Sequence, residues 1–407
     1  MSCRLDGVLQ SLRQPPEWTL LQELTEQRTP EHMRRPEFSQ PLVTALQLCI
    51  LAVLETWGVK PSSVVGHSSG EIAAAYSAGL LDRASAIIAA FHRGRAAVNR
   101  KDDVAKDIGM LAVGLGADTV SAEYLDKYAG QAWIACFNSP SSVTISGRSA
   151  ALDALKEEIS AAGHFSRRLQ VDLAYHSELM GVIGDEYDAL LVKEPAFQPG
   201  AAVSDDGVAM YSSVTAGQIA GPTDAAYWRV NMTSPVRFDE ALKEMVEAPR
   251  GPNYLIEIGP SGALAGPVGQ LLGSLPQAVG SNVTYAPSWA RGAGAARKAL
   301  LDLAGRLWVA GFAIDTAAVG QYDGTQRTIV DLPNYQWNHS VKYWHENAAS
   351  KDWRFRKYPV HDLLGSKVLG VPWAAPIWRS YLNVSNVPYL LDHRLGKLLA
   401  HTHRCCS

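Results

Sequence analysis

Cysteine is scarce in this chain: Cys3, Cys49, Cys136, Cys405 and Cys406 are scattered among 407 residues. That excludes a disulfide framework and points to a reducing compartment, so a cytoplasmic location is expected. Surplus charge is also lacking. Thirty-seven Lys and Arg against 40 Asp and Glu leave a formal net charge of −3 at pH 7, and only 19% of residues are charged. Without a basic excess, neither nucleic acid nor a membrane is expected as a partner. Long apolar runs are missing too. Met1 to Gln14 carries Arg4, Asp6 and Arg13 and has no uninterrupted apolar core, so no secretory signal is expected. The greasiest stretch, Leu42 to Leu54, contains Thr44 and Gln47 and falls short of the roughly 20 residues of a membrane span, which predicts a buried helix. There is no internal repeat and no low-complexity tract. Asn231-Met-Thr and Asn338-His-Ser are read as chance matches to the glycosylation pattern.

What the chain does have is an apolar content of 47% and a length that exceeds a single core, so two or three folding units are expected. Residues 41–57 (PLVTALQLCILAVLETW) predict a helix opened by proline and closed by Gly58. A β-branched pair, Val64-Val65, then runs into Gly66-His67-Ser68-Ser69-Gly70, followed by a second helix (EIAAAYSAG). The order helix, strand, sharp turn, helix predicts a parallel α/β layer. Residues 109–176 change in texture, with MLAVGL, AWIACF, SVTISG and SRRLQVDL as strands and ADTVSAEYLDKYAG and SAALDALKEEISAAG as helices. That βαββαβ order is the ferredoxin-like arrangement. The fold class expected is therefore an α/β-hydrolase-like parallel-sheet body, 1–108 and 177–318, with a ferredoxin-like insert. An irregular basic linker, 319–360, follows, then 361–396 and an unpatterned tail, 397–407.

Gly66-x-Ser68-x-Gly70 between a strand and a helix has the spacing of a nucleophile elbow, although on spacing alone it also describes a glycine-rich turn. In an elbow both glycines are expected to avoid collisions, the serine oxygen is thrust out at the sheet edge, and the Ser69 amide faces developing negative charge. A serine needs a base, and eleven histidines compete. His67 adjoins the serine but is expected to point away. His176 follows the last strand of the insert, where the chain re-enters the body, though a histidine so placed is also a common structural feature.

The runs GHSSGEIAAAYSAG, FHRGR (Phe91 to Arg95), AYHSELM, TSPVRF and EIGPSG resemble successive motifs of polyketide and fatty-acid synthase acyltransferase domains. The likeness covers about residues 3–318, and with RPEFSQP it is nearest in wording to highly reducing fungal polyketide synthases. It implies Ser68 as the acylated nucleophile and His176 as general base and acid. It further implies Arg93, 25 residues beyond Ser68, as the partner of a malonyl carboxylate, a role that a guanidinium fork suits. Gln40 would line the same cleft, and the Ser234 carbonyl would orient the histidine. The implied substrate is malonyl-CoA, and the implied acceptor is the phosphopantetheine thiol of an acyl carrier protein, with no bound cofactor and no metal. Other polyketide synthase domains are implied as partners. Leu173-Ala-Tyr175 lacks the Tyr-Ala-Ser-His form associated with methylmalonyl selection.

Two departures from the family stand out. No Gly-Gln-Gly turn occurs near the N-terminus, so a central strand and one oxyanion donor are expected to be absent. RFRKYPVHDLLGS resembles the linker into a dehydratase domain, which implies that 361–396 is the start of a truncated one, but around His393 the spacing to Gly396 is one residue short, so His393 is given no role. AHTHRCCS fits no ordinary zinc spacing and is read as translated non-coding sequence. A serine hydrolase or thioesterase, and a non-catalytic remnant or docking fragment of a synthase, are the rival readings.

Overall fold

A computed structural model of the chain describes residues 2–399 except 105, 201–206, 220, 222, 250, 252, 291, 293, 294, 328, 393, 396 and 397. The readings placed on His393, Gly396 and the tail therefore lie outside the described residues. The chain divides into two compact units, Met1–Gln326 and Arg327–Ser407.

In the first unit, short helices α1 (Ser2–Gln10), α2 (Leu20–Thr25) and α3 (Pro30–Arg34) precede the long α4 (Pro36–Thr56). The proline in the first turn of α4 is Pro36, and Pro41 lies inside the helix. The expected start was late because PEFSQ is polar and gives no apolar period. Pro41 removes only one intrahelical bond, to the Glu37 carbonyl. Gly58, at φ +78, closes the helix in the left-handed conformation that glycine adopts without strain. At 21 residues α4 is long and apolar enough to cross a membrane, contrary to the length read from sequence, and half of that apolar window is buried inside the protein. Leu42, Ala45 and Leu48 pack with Ile72, Ile87, Ile88 and Tyr187 in the largest core.

Strand β1 (Ser63–Val65) leads through the glycine-flanked turn to α5 (Glu71–Ser77), and α6 (Arg83–Asn99) follows. The Asp82 carboxylate caps α6 by accepting from the Ser85 amide at 2.6 Å. The inserted subdomain comprises β2 (Ile108–Val113), α7 (Ala117–Glu123), β3 (Ala132–Ser139), β4 (Ser142–Arg148), α8 (Ser149–Ala161) and β5 (Ser166–Arg168). Its strands lie in the order β5-β2-β4-β3 and pair antiparallel, which is the ferredoxin-like order. Leu152, Leu155 and Ile159, spaced along one helical face, pack on Leu111, Val113, Val143 and Ile145. The last strand is shorter than SRRLQVDL suggests. It ends at Arg168, because beyond the Leu169 amide, which bonds the Met110 carbonyl at 2.9 Å, the chain turns back toward the body.

The body resumes with α9 (Gly181–Lys193), β6 (Ala209–Ser212), β7 (Gly217–Ile219), α10 (Ala225–Thr233), β8 (Val236–Arg237) and α11 (Phe238–Glu247). Next come β9 (Tyr254–Glu257), α12 (Ala265–Ser274), α13 (Gln277–Gly280), β10 (Thr284–Pro287) and α14 (Ala295–Val309). Strand β1 runs parallel to β6, and β9 parallel to β10, as the α/β reading requires. The two parallel ladders do not meet. Between them lies a cavity of about 1050 Å³ whose walls include Val64 and Val65 of β1, Leu255 and Ile256 of β9, Gln47 of α4 and Leu242 of α11. Strand β8 pairs parallel with β3 and so ties the insert to the body immediately after Ser234.

In the second unit, α15 having closed the first at Thr316–Val319, the described residues between 327 and 347 form no helix or strand, in keeping with a linker. Helix α16 (Ala348–Arg354) and the antiparallel pair β11 (Ser366–Lys367) with β12 (Trp378–Arg379) follow. Lys367 bridges to Asp352 at 2.8 Å.

Candidate active site

The turn after β1 is steric in origin. A Cβ on Gly66 would stand 2.3 Å from the Glu71 amide nitrogen, closer than any real contact, whereas one on Gly70 would meet only the end of Gln47 at 3.9 Å. Of the two glycines expected to be essential, the structure requires Gly66 alone, because Gly70 already has ordinary helical dihedrals and open space. Gly66→Ala should therefore abolish soluble, cooperatively folding protein or displace Ser68, while Gly70→Ala should melt within a few degrees of the parent; thermal unfolding of both variants checks this. Ser68 itself takes φ +56, a left-handed conformation costing about 1–2 kcal/mol for a residue with a side chain. Ser69 follows in the first turn of the 3₁₀ helix Ser68–Gly70, where amides lack acceptors inside the helix. That is the location expected of an oxyanion donor.

His176 is brought to this turn by the chain leaving β5, and it too is left-handed, at φ +61. Its Nε2 lies 2.7 Å from Ser68 Oγ, and its Nδ1 lies 3.0 Å from the Ser234 carbonyl oxygen. The carbonyl can only accept, so Nδ1 carries the proton and Nε2 is left as the acceptor of the serine hydroxyl. Its own amide donates to the Met232 carbonyl at 3.2 Å. The side chain is buried, and burial, reinforced by the nearby Arg93 cation, pushes its pKa down to about 3 against the pull of the Ser234 carbonyl. The ring is thus neutral at any ordinary pH, as a proton acceptor must be. His67 does point elsewhere: its Nε2 bonds Asn138 Oδ1 of β3 at 2.8 Å.

Arg93, on α6, is 1% exposed, and among the described residues no carboxylate forms a salt bridge with it. Its Nη1 donates to Asn231 Oδ1 at 2.8 Å, and its Nε has no partner among the described residues. Burial lowers its pKa, while the Tyr187, Tyr175 and Glu71 side chains favour the cation. A buried guanidinium with spare donors is the form of an anion receptor. Gln40 lies near the start of α4 with a buried Oε1 that makes no hydrogen bond among the described residues. No bond connects it to Ser68, His176 or Arg93.

Sequence reasoning missed Glu71 and Asn231. Asn231, dismissed above as a chance glycosylation match, is 1% exposed on α10 and its amide is fully engaged inside the protein. Glu71 is wholly buried, and its carboxylate accepts from the Ser213 amide, Ser213 Oγ, Tyr227 Oη and Asn231 Nδ2. The signal available was a carboxylate in an otherwise apolar helix start, Glu71-Ile-Ala-Ala-Ala. Cys3, Cys49 and Cys136 are free thiols.

Residues 5–314 match the family model described as acyl transferase domain. The chain is 50% identical over 397 residues to a highly reducing polyketide synthase of Eupenicillium brefeldianum, covering 96% of this chain and 16% of that protein. It is 46% identical over 397 residues to a low-reducing polyketide synthase of Aspergillus calidoustus, covering 96% of this chain and 17% of that protein. Among solved structures, the acyltransferase domain from the second module of the salinomycin polyketide synthase has a TM-score of 0.67 at 27% identity. The match covers 81% of this chain and 71% of that one.

Proposed function

Because this chain belongs to the acyl transferase domain family, we propose that it moves a malonyl unit from coenzyme A to the phosphopantetheine thiol of an acyl carrier protein by way of an ester on Ser68. The observation that carries this reading is the 2.7 Å contact between Ser68 Oγ and His176 Nε2. As the serine oxygen attacks the thioester carbonyl, the imidazole takes its proton, and the Ser234 carbonyl steadies the resulting imidazolium through Nδ1. The Ser69 amide faces the oxyanion. The imidazolium then returns the proton to the departing coenzyme A sulfur. In the second half-reaction His176 deprotonates the carrier thiol, whose sulfur attacks the serine ester, and the proton goes back to Ser68 Oγ.

Arg93 gives the reading its substrate class. A malonyl group keeps a free carboxylate, and a buried guanidinium without a salt-bridge partner among the described residues supports selection of that carboxylate over plain acyl groups. The residues before His176, Leu173-Ala-Tyr175, support malonyl over methylmalonyl. The proposed setting is the cytoplasm, beside the other domains of a polyketide synthase.

The test is exposure of the 407-residue chain to malonyl-CoA with and without a carrier protein bearing phosphopantetheine. Peptide mass mapping should find malonate on Ser68, discharged faster to the thiol than to water. Equal discharge to water would make the chain a hydrolase, and absence of any adduct would leave a non-catalytic fragment.

A further inference from the structure

The donors and acceptors around Asn231 fix the orientation of its amide. The oxygen faces Arg93 Nη1 at 2.8 Å, and the nitrogen faces the Ser68 carbonyl at 3.2 Å and Glu71 Oε2 at 2.9 Å. Turning the amide over would set NH₂ against guanidinium and oxygen against both the Ser68 carbonyl and the carboxylate, three repulsions in place of three bonds. Glu71 is itself held from the far side. Tyr227 gives its single hydroxyl proton to Glu71 at 2.6 Å, so the Ser212 hydroxyl, which accepts the Val214 amide at 3.0 Å, donates to Tyr227 Oη at 2.7 Å. Ser213 supplies two further donors, and with Asn231 Nδ2 the carboxylate takes four hydrogen bonds and has no lone pair spare. One planar amide thus ties the backbone of the nucleophile to the guanidinium, and α10 carries this amide together with the Met232 carbonyl that holds the His176 amide.

We propose that Asn231, locked by Glu71, is the positioning residue that sets the Arg93 guanidinium relative to Ser68 and thereby carries the chain's preference for acyl groups with a free carboxylate. The proposal rests on the acyl-transfer reading above. Bidentate recognition is directional, so a guanidinium free to swing on its buried stem loses the carboxylate geometry while Ser68 and His176 keep their own contact. Preference, not chemistry, should suffer most.

The test measures initial rates of Ser68 acylation from malonyl-CoA and acetyl-CoA on one preparation of each protein, so that the ratio does not depend on the fraction folded. Asn231→Ala should lower the malonyl-to-acetyl ratio of kcat/KM at least tenfold. Glu71→Gln, which must aim an NH₂ at a donor and so unlocks the amide, should shift the ratio in the same direction, and it carries the test if Asn231→Ala yields no folded protein. A ratio unchanged in both variants overturns the proposal while leaving acyl transfer intact. If the parent chain acylates Ser68 from neither substrate, the underlying reading fails instead.

Discussion

Ser68→Ala should leave no malonyl adduct on the chain, and His176→Ala should slow adduct formation by about 10³- to 10⁶-fold, the loss seen when one member of a nucleophile and base pair is removed. The two effects should not add, because the imidazole acts only through the hydroxyl 2.7 Å away. Intact mass after brief mixing with malonyl-CoA measures both. The same contact predicts the pH profile. Burial holds His176 near a pKa of about 3, below the usual histidine value of about 6.5. The neutral, proton-accepting form therefore exists above about pH 3, and activity is lost only as pH falls toward it. Between about pH 5 and pH 8, kcat/KM for acylation should be flat on the acid side. An acid limb near 6.5 would show that the ring titrates as if exposed. Stability carries the same sign: the unfolded chain binds a proton below about 6.5 that the native ring refuses, so the melting temperature should decline as the solution is acidified through that range.

Arg93→Ala should cut kcat/KM for malonyl-CoA by roughly 10²- to 10⁴-fold while changing that for acetyl-CoA by less than about tenfold. The magnitude follows from two hydrogen bonds to a charged group at about 1.5–3 kcal/mol each, converted at about 1.4 kcal/mol per tenfold. Arg93→Lys should recover little, since an ammonium offers one point contact and no fork. Steady-state kinetics with both thioesters decide the matter. Equal losses for the two substrates would mean that the guanidinium supports the core, not the acyl group.

The sequence revealed the parts of this site that are local. Gly66 and the strand and helix around it mark the elbow, Gly58 marks a helix end, and the alternation of strands and helices in 109–176 marks the insert, because each is a short-range steric or periodic feature. The pairing of Ser68 with His176 spans 108 positions and the tie between Glu71 and Asn231 spans 160. No spacing rule reaches that far, and the first was named only through motif resemblance. Polar residues at helix starts misled: the RPEFSQ segment hid the true beginning of α4, and Glu71, given no role from sequence, is a buried hub bonded by the side chains of Ser213, Tyr227 and Asn231 and by the Ser213 amide. The length of β5 was overread because alternation persists in QVDL after the ladder has ended.

The gap between the two parallel ladders places sheet borders where a doubly wound fold normally has its middle. Along β1 and β9 it exposes rows of main-chain amides and carbonyls to solvent-sized space, the kind of surface onto which an extended peptide can zip. Outer borders are commonly guarded by lysine or proline, and here Lys60 and Pro61 stand on the cavity wall at the head of β1, with no such residue within β1 or β9. Residues of α4, α5, α11 and α12 line the same space, so whatever pairs with these borders must fit among those helices.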